Sequence, residues 1–370
     1  MKYYIIAGEA SGDLHGSNLM KAIFKIAPES DFRYWGGDKM EDVGGKLVKH
    51  YRDLAFMGFA EVIMNLGTIL SNLKSCKKDI TNYNPDILIL IDYPGFNLRI
   101  AEFAHKQNIK VVYYISPQIW AWKQNRVFKI KKVVDKMIVI LPFEKDFYAK
   151  YKIEVDFVGH PLLDSLESEK AITKEAFLKK NNINNKPIIA LLPGSRKQEV
   201  AVMLHTMLKL APNYPNHQFI IAGVNTLGES YYNDIINNRE VKILFDNTNC
   251  ILKYAEAALV TSGTATLETA LIGTPEVVCY KGNRISYEIA KRIVKIKYIS
   301  LVNLIMDKEV VVELIQSSFN PKMLKLELDK LLFNDDIRQR ILNDYNKLKT
   351  MLGNNGASDR AAKIIVEMAK

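Results

Sequence analysis

Three cysteines, Cys76, Cys250 and Cys279, are all that the 370 residues hold, and no two form a CxxC pair. That count excludes a disulfide framework and a zinc ribbon, and the thiols read as reduced core or surface groups. The six histidines fall in neither HxxxH nor HExxH spacing. A structural or catalytic metal therefore has little support, and no cofactor is expected. Long apolar runs are missing too. The longest, such as Ile87–Ile91 and Met137–Leu141, have strand length and fall far short of a bilayer-spanning helix. The chain enters a strand at once, without a basic n-region, apolar h-region or cleavage site, so it is expected to stay in the compartment where it is made. Two nucleotide fingerprints are also absent, the GxGxxG of dinucleotide folds and the GxxxxGK[ST] of P-loop ATPases.

What remains is a soluble globular composition, 48% hydrophobic and 25% charged. The length exceeds one typical core, so two domains are expected. Lysine and arginine outnumber the acids 51 to 41, a net charge of +10. Such a surface favours anionic partners: nucleic acid, acidic lipid or a phosphorylated substrate. No nucleic-acid module is recognisable, so nucleic acid is not among the expected partners. One basic cluster is dense: Lys123, Arg126, Lys129, Lys131, Lys132 and Lys136. It reads either as a solvated helix face or as a binding patch.

Apolar, β-rich runs alternate with helical patterns along most of the chain. The first half predicts strands at Tyr3–Ala7, Phe32–Trp35, Ile87–Ile91, Lys110–Ile115, Met137–Leu141 and Val155–Val158. The second predicts Ile188–Leu192, Gln218–Ala222, Val241–Leu244, Ala258–Thr261 and Glu276–Tyr280. Continuous apolar strands separated by helices imply α/β architecture with parallel, doubly wound sheets covered on both faces. The break falls near Gly159-His160-Pro161. After Tyr280 the pattern reads as wholly helical, ending in a helix over Arg360–Ala369 with Ser358 as its cap. Ligands of such sheets bind at the carboxyl ends of strands.

The strand ends carry the chemistry. Ala258–Thr261 runs into Ser262-Gly263-Thr264 and a helix bearing Glu268 one turn in. A helix N-terminus suits a diphosphate, and Glu268 could accept from a sugar diol; an ordinary αβ connection is the alternative. The first strand ends in Gly8-Glu9-Ala10-Ser11-Gly12-Asp13, where Glu9 and Ser11 could hold sugar hydroxyls or simply belong to a capped turn. Ile87–Ile91 ends in Asp92, whose partial burial at a sheet edge would raise its pKa and suit it to proton abstraction. Leu192 is followed by Pro193-Gly194-Ser195-Arg196. Arg196 could clamp a diphosphate by bidentate bonds, or pair with Glu199 at the surface. Phe56, Met57, Phe59, Val62, Ile63, Leu66, Ile69, Leu70 and Leu73 form an apolar stripe at helical spacing, followed by Lys74, Lys77 and Lys78. The stripe fits a core helix or a membrane surface.

In its ordered motifs the chain resembles the lipid-A-disaccharide synthase family over nearly its whole length. The blocks are GEASGD (8–13), MGFAEV (57–62), DYPGFN (92–97), ISPQIWAWKQNRVFKIKKVVDKMIVILPFEKDFY (115–148), VGHPL (158–162), LLPGSR (191–196), SGTATLE (262–268) and SLVNL (300–304). The resemblance implies a GT-B glycosyltransferase: two Rossmann-like domains facing across a cleft, over 1–160 and 161–340. The segment 341–370 would pack back on an N-terminal domain of the same or a partner chain. It implies transfer from UDP-2,3-diacylglucosamine to 2,3-diacylglucosamine 1-phosphate, with inversion, a β-1,6 linkage, release of UDP and no metal. It also implies a cytoplasmic protein peripheral on the inner face of the membrane, and a homodimer. By position, Asp92 matches the candidate general base, Arg196 an arginine needed for activity, Asn303 a functional asparagine, and Glu9 and Ser11 the first-loop residues. Ser262, Gly263, Thr264 and Glu268 go to UDP by analogy with the broader fold. Acylated substrates turn the stripe from Phe56 to Leu73 into an acyl-facing, membrane-dipping surface. Four positions depart from the family pattern: Tyr34 stands where the second block has its first glycine, Asp38 replaces a proline, Gly95 a second acid, and Val302 the proline before Asn303. A UDP-sugar 2-epimerase on the same fold and a non-catalytic nucleotide-sugar or lipid-binding protein are the alternatives.

Overall fold

The computed structural model describes residues 1–54, 66–168, 172–237, 239–294 and 296–369. The chain divides into two compact units, Met1–Asp164 with Leu352–Lys370, and Ser165–Met351. Among the described residues, the first unit holds a seven-stranded sheet in the order β3-β2-β1-β4-β5-β6-β7. Its strands are β1 (Lys2–Ala7), β2 (Asp31–Gly36), β3 (Lys46–His50), β4 (Ile87–Ile91), β5 (Lys110–Tyr114), β6 (Lys136–Val139) and β7 (Asp156–Phe157). The second unit holds a six-stranded sheet, β10-β9-β8-β11-β12-β13. These are β8 (Ile188–Leu192), β9 (Gln218–Gly223), β10 (Lys242–Phe245), β11 (Ala255–Thr261), β12 (Glu276–Tyr280) and β13 (Glu313–Ile315). Every pairing is parallel.

The apolar runs behave as their composition dictates. All residues of β4 and β8 are buried, because helices cover both faces of each sheet. In the second unit Phe177, Ile188, Ala190, Ile220, Ile251, Ala258 and Val260 share one core. Two strands lack that signature. β3 reads KLVKH and β13 is three residues long, both on sheet edges where one neighbour suffices. β13 also corrects the wholly helical reading of the chain after Tyr280.

Three acids organise the first unit through hydrogen bonds to its own backbone and side chains. Asp13 is buried, and its carboxylate accepts from the backbone N–H groups of Gly37, Lys39 and Met40, at 2.7, 3.1 and 3.1 Å. That binds the first loop to the Gly36-Gly37-Asp38 turn. Asp164 accepts from Gly356, Ala357 and Ser358 N–H at the start of the helix Ala357–Ala369. It, and not the expected Ser358, is the cap; Ser358 is buried inside the helix. The helix packs on Ala10–Ile26, and Arg360 fixes it further by donating to the carbonyls of Val158, Asn354 and Asn355. Asp79 pairs with Arg33 and accepts from Tyr4. Beside Asp164 lie two buried histidines. Burial lowers His15 to about 4 and His160 to about 3, so both are neutral at physiological pH. The chain stays in the second unit through the helix Asp335–Met351, which packs on Thr264–Ile272, and returns to the first only at Leu352.

Candidate active site

In the first unit the reactive groups gather where β1, β4 and β5 end. β4 runs straight into Asp92 and Tyr93, two successive non-glycine residues in left-handed backbone, with φ of 41° and 48°. Each such residue costs on the order of 1–3 kcal/mol unless its surroundings hold it. Here they do. Asp92 N–H donates to the Ile115 carbonyl at 3.2 Å, joining the ends of β4 and β5. Its own carbonyl accepts from the Tyr113 hydroxyl at 2.5 Å and from Asn97 Nδ2 at 2.8 Å. Asn97 Nδ2 also reaches the Ile91 carbonyl at 3.1 Å. The Tyr93 ring stacks on Phe96, centroids 5.6 Å apart, and Phe96 leans on Trp35 at 5.3 Å. Pro94 then starts the helix Pro94–Lys106, where a missing N–H costs nothing.

The first loop closes against this turn. A Cβ on Gly8 would stand 2.5 Å from the Tyr93 ring, so only glycine lets the two loops meet. Glu9 follows in extended backbone at the start of Ala10–Ile26, with Ser11 two residues on in the first turn; both are exposed. Asp92 is half-buried. Burial raises its carboxyl to about 7, the negative charge of Glu9 adds to the rise, and a hydrogen bond from Tyr93 N–H opposes it. The structure therefore brings Glu9 and Asp92 into one electrostatic pair.

A further acid stands on the same edge, and sequence reasoning passed over it. Glu144, in the LPFEK block, is buried and accepts from Leu141 N–H at 3.0 Å. Burial raises it to about 7, against hydrogen bonds from the Leu141 and Ile140 backbone and the Ser116 and Trp120 side chains. Ser116 in turn shares a 2.7 Å hydrogen bond with the Tyr148 hydroxyl. Glu144 thus ties the loop after β5 to the loop after β6. A charged residue set among Leu141, Pro142 and Phe143 was the available signal.

In the second unit two turns meet at the adjacent ends of β8 and β11. Gly194 has φ 103°, and a Cβ there would lie 3.1 Å from Glu199 and 3.5 Å from the Thr261 side chain. Arg196 starts the helix Lys197–Met207; its exposed guanidinium is paired with Glu199 at 3.1 Å. Ser262 is tied back, its N–H to the Cys279 carbonyl and its Oγ to the Ile299 carbonyl. Gly263 and Thr264 are exposed, and no side chain caps the helix Thr264–Ile272. Glu268 is half-buried on that helix. The uncapped N-terminus presents its positive dipole end beside Arg196's turn.

Asn303 takes a different place from the other site residues. It is fully buried, and its side chain donates to the Val311 carbonyl and Glu313 while accepting from Val310 and Val311 N–H, at 2.8–3.0 Å. Both donors and the amide oxygen are engaged within the protein, so Asn303 positions the turn that Ser300 caps. As for the apolar stripe, Phe56, Met57, Phe59, Val62 and Ile63 lie outside the described residues. Leu66 opens the helix Leu66–Tyr83. Leu70 on that helix is exposed, but Leu73 is buried with Cys76 and Ile80, so the stripe turns into core before its expected end.

Two parallel α/β sheets, each gathering polar groups at its carboxyl edge, define the class of GT-B nucleotide-sugar enzymes. Solved structures agree at the level of fold. UDP-GlcNAc 2-epimerase from Neisseria meningitidis, solved with UDP-GlcNAc, aligns with TM-score 0.65 at 15% identity, over 100% of this chain and 99% of that one. The calicheamicin glycosyltransferase CalG4 gives 0.62 at 14%, over 100% and 97%. Sequence relatives narrow the class. The profile described as lipid-A-disaccharide synthetase matches residues 3–368. Lipid-A-disaccharide synthase of Syntrophus aciditrophicus is 41% identical over 99% of this chain and 97% of its own length. The enzyme of that name from Coxiella burnetii is 35% identical over 98% and 96%. The chain belongs to the lipid-A-disaccharide synthetase family and is a UDP-sugar-dependent glycosyltransferase of lipid A disaccharide synthesis.

Proposed function

We propose that the enzyme joins UDP-2,3-diacylglucosamine to 2,3-diacylglucosamine 1-phosphate, with Asp92 as the base. The Asp92 carboxylate takes the proton of the acceptor 6-hydroxyl as that oxygen bonds to the donor anomeric carbon. The carbon–oxygen bond to UDP breaks in the same step, and its electron pair leaves with the β-phosphate. Attack opposite the leaving group inverts the centre and gives the β-1,6 linkage. A positioned base is worth about 10²–10⁴-fold. Arg196, on releasing Glu199, and the uncapped start of Thr264–Ile272 receive the growing charge on UDP. Ser262, Gly263 and Glu268 belong to the same UDP-facing edge, and Ser11 with Glu9 to the acceptor-facing one. Asn303 acts through the turn it holds.

The observation that carries this reading is Asp92 itself: a strand-end carboxyl raised to about 7, on a left-handed backbone pinned by Tyr113, Asn97 and Ile115. A base titrating near the working pH both accepts a proton and remains ionised enough to do so. Mass spectrometry of a reaction holding both diacylated sugars tests it. A β-1,6 disaccharide 1-phosphate plus UDP is expected; conversion of UDP-GlcNAc without an acceptor would reveal an epimerase instead.

The reading places the enzyme on the inner face of the cytoplasmic membrane, as a peripheral protein. No described helix is long and apolar enough to cross a membrane. The stripe from Phe56 to Leu66 would reach the acyl chains. With acids at Phe59 and Ile63, vesicle co-sedimentation should fall; undiminished binding by a folded variant assigns the stripe to the core. The reading includes a homodimer that exchanges the C-terminal helix. Its support is that Asp164 and Arg360 hold this helix by contacts that a partner's copy can reproduce.

A further inference from the structure

We propose that Lys123 and Arg126 form the seat of the acceptor's phosphomonoester, on the sheet edge that carries Asp92. The proposal rests on the acceptor named above. It begins with the basic cluster. Lys129 pairs with Glu102 at 2.6 Å, Lys136 with Asp156 at 2.7 Å, and Lys131 donates to the Tyr151 carbonyl. Among the described residues, Lys123 and Arg126 have no carboxylate partner, and nor do Lys131 and Lys132; what sets the first two apart is an aromatic ring. Both lie over one ring instead: Lys123 Nζ is 4.3 Å and Arg126 Cζ 5.7 Å from the centroid of Trp122, itself 41% exposed. Lys123 is held there by left-handed backbone, φ 51°, and its carbonyl accepts from Arg126 N–H at 3.0 Å.

Burial, and to a smaller extent the repulsion of Arg126 on the same face, hold Lys123 below the usual lysine range. A dianion between them reverses that cost. The arginine fork can grip two phosphate oxygens and the ammonium a third.

Position supports the same ligand. The loop carrying both residues leaves β5 at Ile115, whose carbonyl anchors Asp92. The Tyr113 hydroxyl, which donates to the Asp92 carbonyl, is raised chiefly by burial; the charge of Asp92 adds to the rise and the smaller effect of Arg126 opposes it, so both residues act on this one group. On the acceptor, the C1 phosphate and the C6 hydroxyl flank the ring oxygen. A base for one and a seat for the other must therefore stand within a sugar's breadth.

The test compares diacylglucosamine 1-phosphate with the same sugar bearing a free 1-hydroxyl, using wild type, R126A, R126K and K123A. Wild type should prefer the phosphorylated acceptor. R126A should raise its KM about 10–100-fold and leave the KM of the unphosphorylated sugar, the UDP affinity and the melting temperature unchanged, with R126K between. Trp122 fluorescence gives a second readout independent of turnover: quenching by the phosphorylated acceptor should vanish in R126A. Equal losses on both acceptors overturn the seat and make the pair an anionic-membrane or folding contact; so does discrimination that survives in R126A. Phosphate-dependent quenching without any disaccharide would sink the proposed reaction and keep the seat.

Discussion

Replacing Glu9 with Gln removes one negative charge from beside Asp92 without removing the hydrogen-bonding group. Asp92 titrates at about 7 instead of 3.8, with burial the larger cause and Glu9 the smaller. Glu9's share of the rise is then under about two pH units, or under about 2.7 kcal/mol. If Asp92 is the base, kcat/KM for the acceptor climbs with pH as its carboxyl ionises, with an acid limb near 7 in the wild type. In E9Q that limb should move downward, to no lower than about pH 5, while the plateau falls because the weaker base pulls less on the proton. The assay is the initial rate at limiting acceptor and saturating UDP-sugar, from about pH 5 to 9. The direction separates two roles for Glu9. A residue that only touches substrate changes KM and leaves the limb in place; a residue that acts through charge moves the limb. A limb that stays near 7 in E9Q, or rises, refutes the coupling of Glu9 to the base.

Asp92→Asn should lower turnover by about 10²–10⁴. The same variant should be more stable than wild type above pH 7: a folded-state pKa raised from 3.8 to about 7 means that ionising the carboxyl destabilises the fold as pH rises through that window. The gain is at most about 4 kcal/mol, reduced by the water that reaches a half-buried group, and denaturant midpoints at pH 8 and pH 5 measure it. Arg196→Ala should weaken UDP binding about 10–100-fold by calorimetry; an unchanged affinity contradicts the clamp. Gly8→Ala should push the Tyr93 ring aside and displace Asp92, cutting turnover about 100-fold with UDP affinity kept. His15 and His160, lowered to about 4 and about 3, bind fewer protons folded than unfolded below about pH 6.5. Stability should therefore fall with acid, by about 2.7 kcal/mol per histidine at pH 4.5, and His15→Phe should flatten the melting-temperature profile over that range.

Legibility in the sequence followed burial. Strands apolar throughout, such as ILILI in β4 and IIALL in β8, were readable because a parallel sheet covered on both faces demands that composition. Edge strands β3 and β13 need no such composition and left no trace. Asp92 and Arg196 stand out as candidates because each is the first ionisable or bidentate group after a buried strand. Asp13 and Asn303 sit in equally recognisable motifs, yet Asp13 ties backbone to backbone and Asn303 spends both donors and its amide oxygen inside the protein. A motif marks a position that the fold needs and does not say whether the need is chemical or architectural. Glu144 shows the converse, a buried acid inside a signature that was read only as a signature.

The Asp92 turn also explains why its architecture surrounds it so heavily. An acid whose carboxyl stays near 7 is one the fold would hold more easily if neutral. Two left-handed residues in a row are a conformation the chain would relax if released. Both costs fall on one loop, and both are met by groups that do no chemistry: the Tyr113 hydroxyl, the Asn97 amide, the Ile115 carbonyl and the Tyr93–Phe96–Trp35 stack. Had the turn only to join β4 to a helix, a glycine in place of Asp92 would remove the cost of the carboxyl and Asp92's share of the backbone cost, leaving only Tyr93 in left-handed backbone. Keeping a carboxylate there, with Glu9 raising its pKa further, makes sense if the proton it accepts belongs to a substrate. The same logic locates the weak point of the site: loosening any one of the supporting groups should lower turnover by letting Asp92 wander, while strand β4 beneath it, buried along its whole length, stays folded.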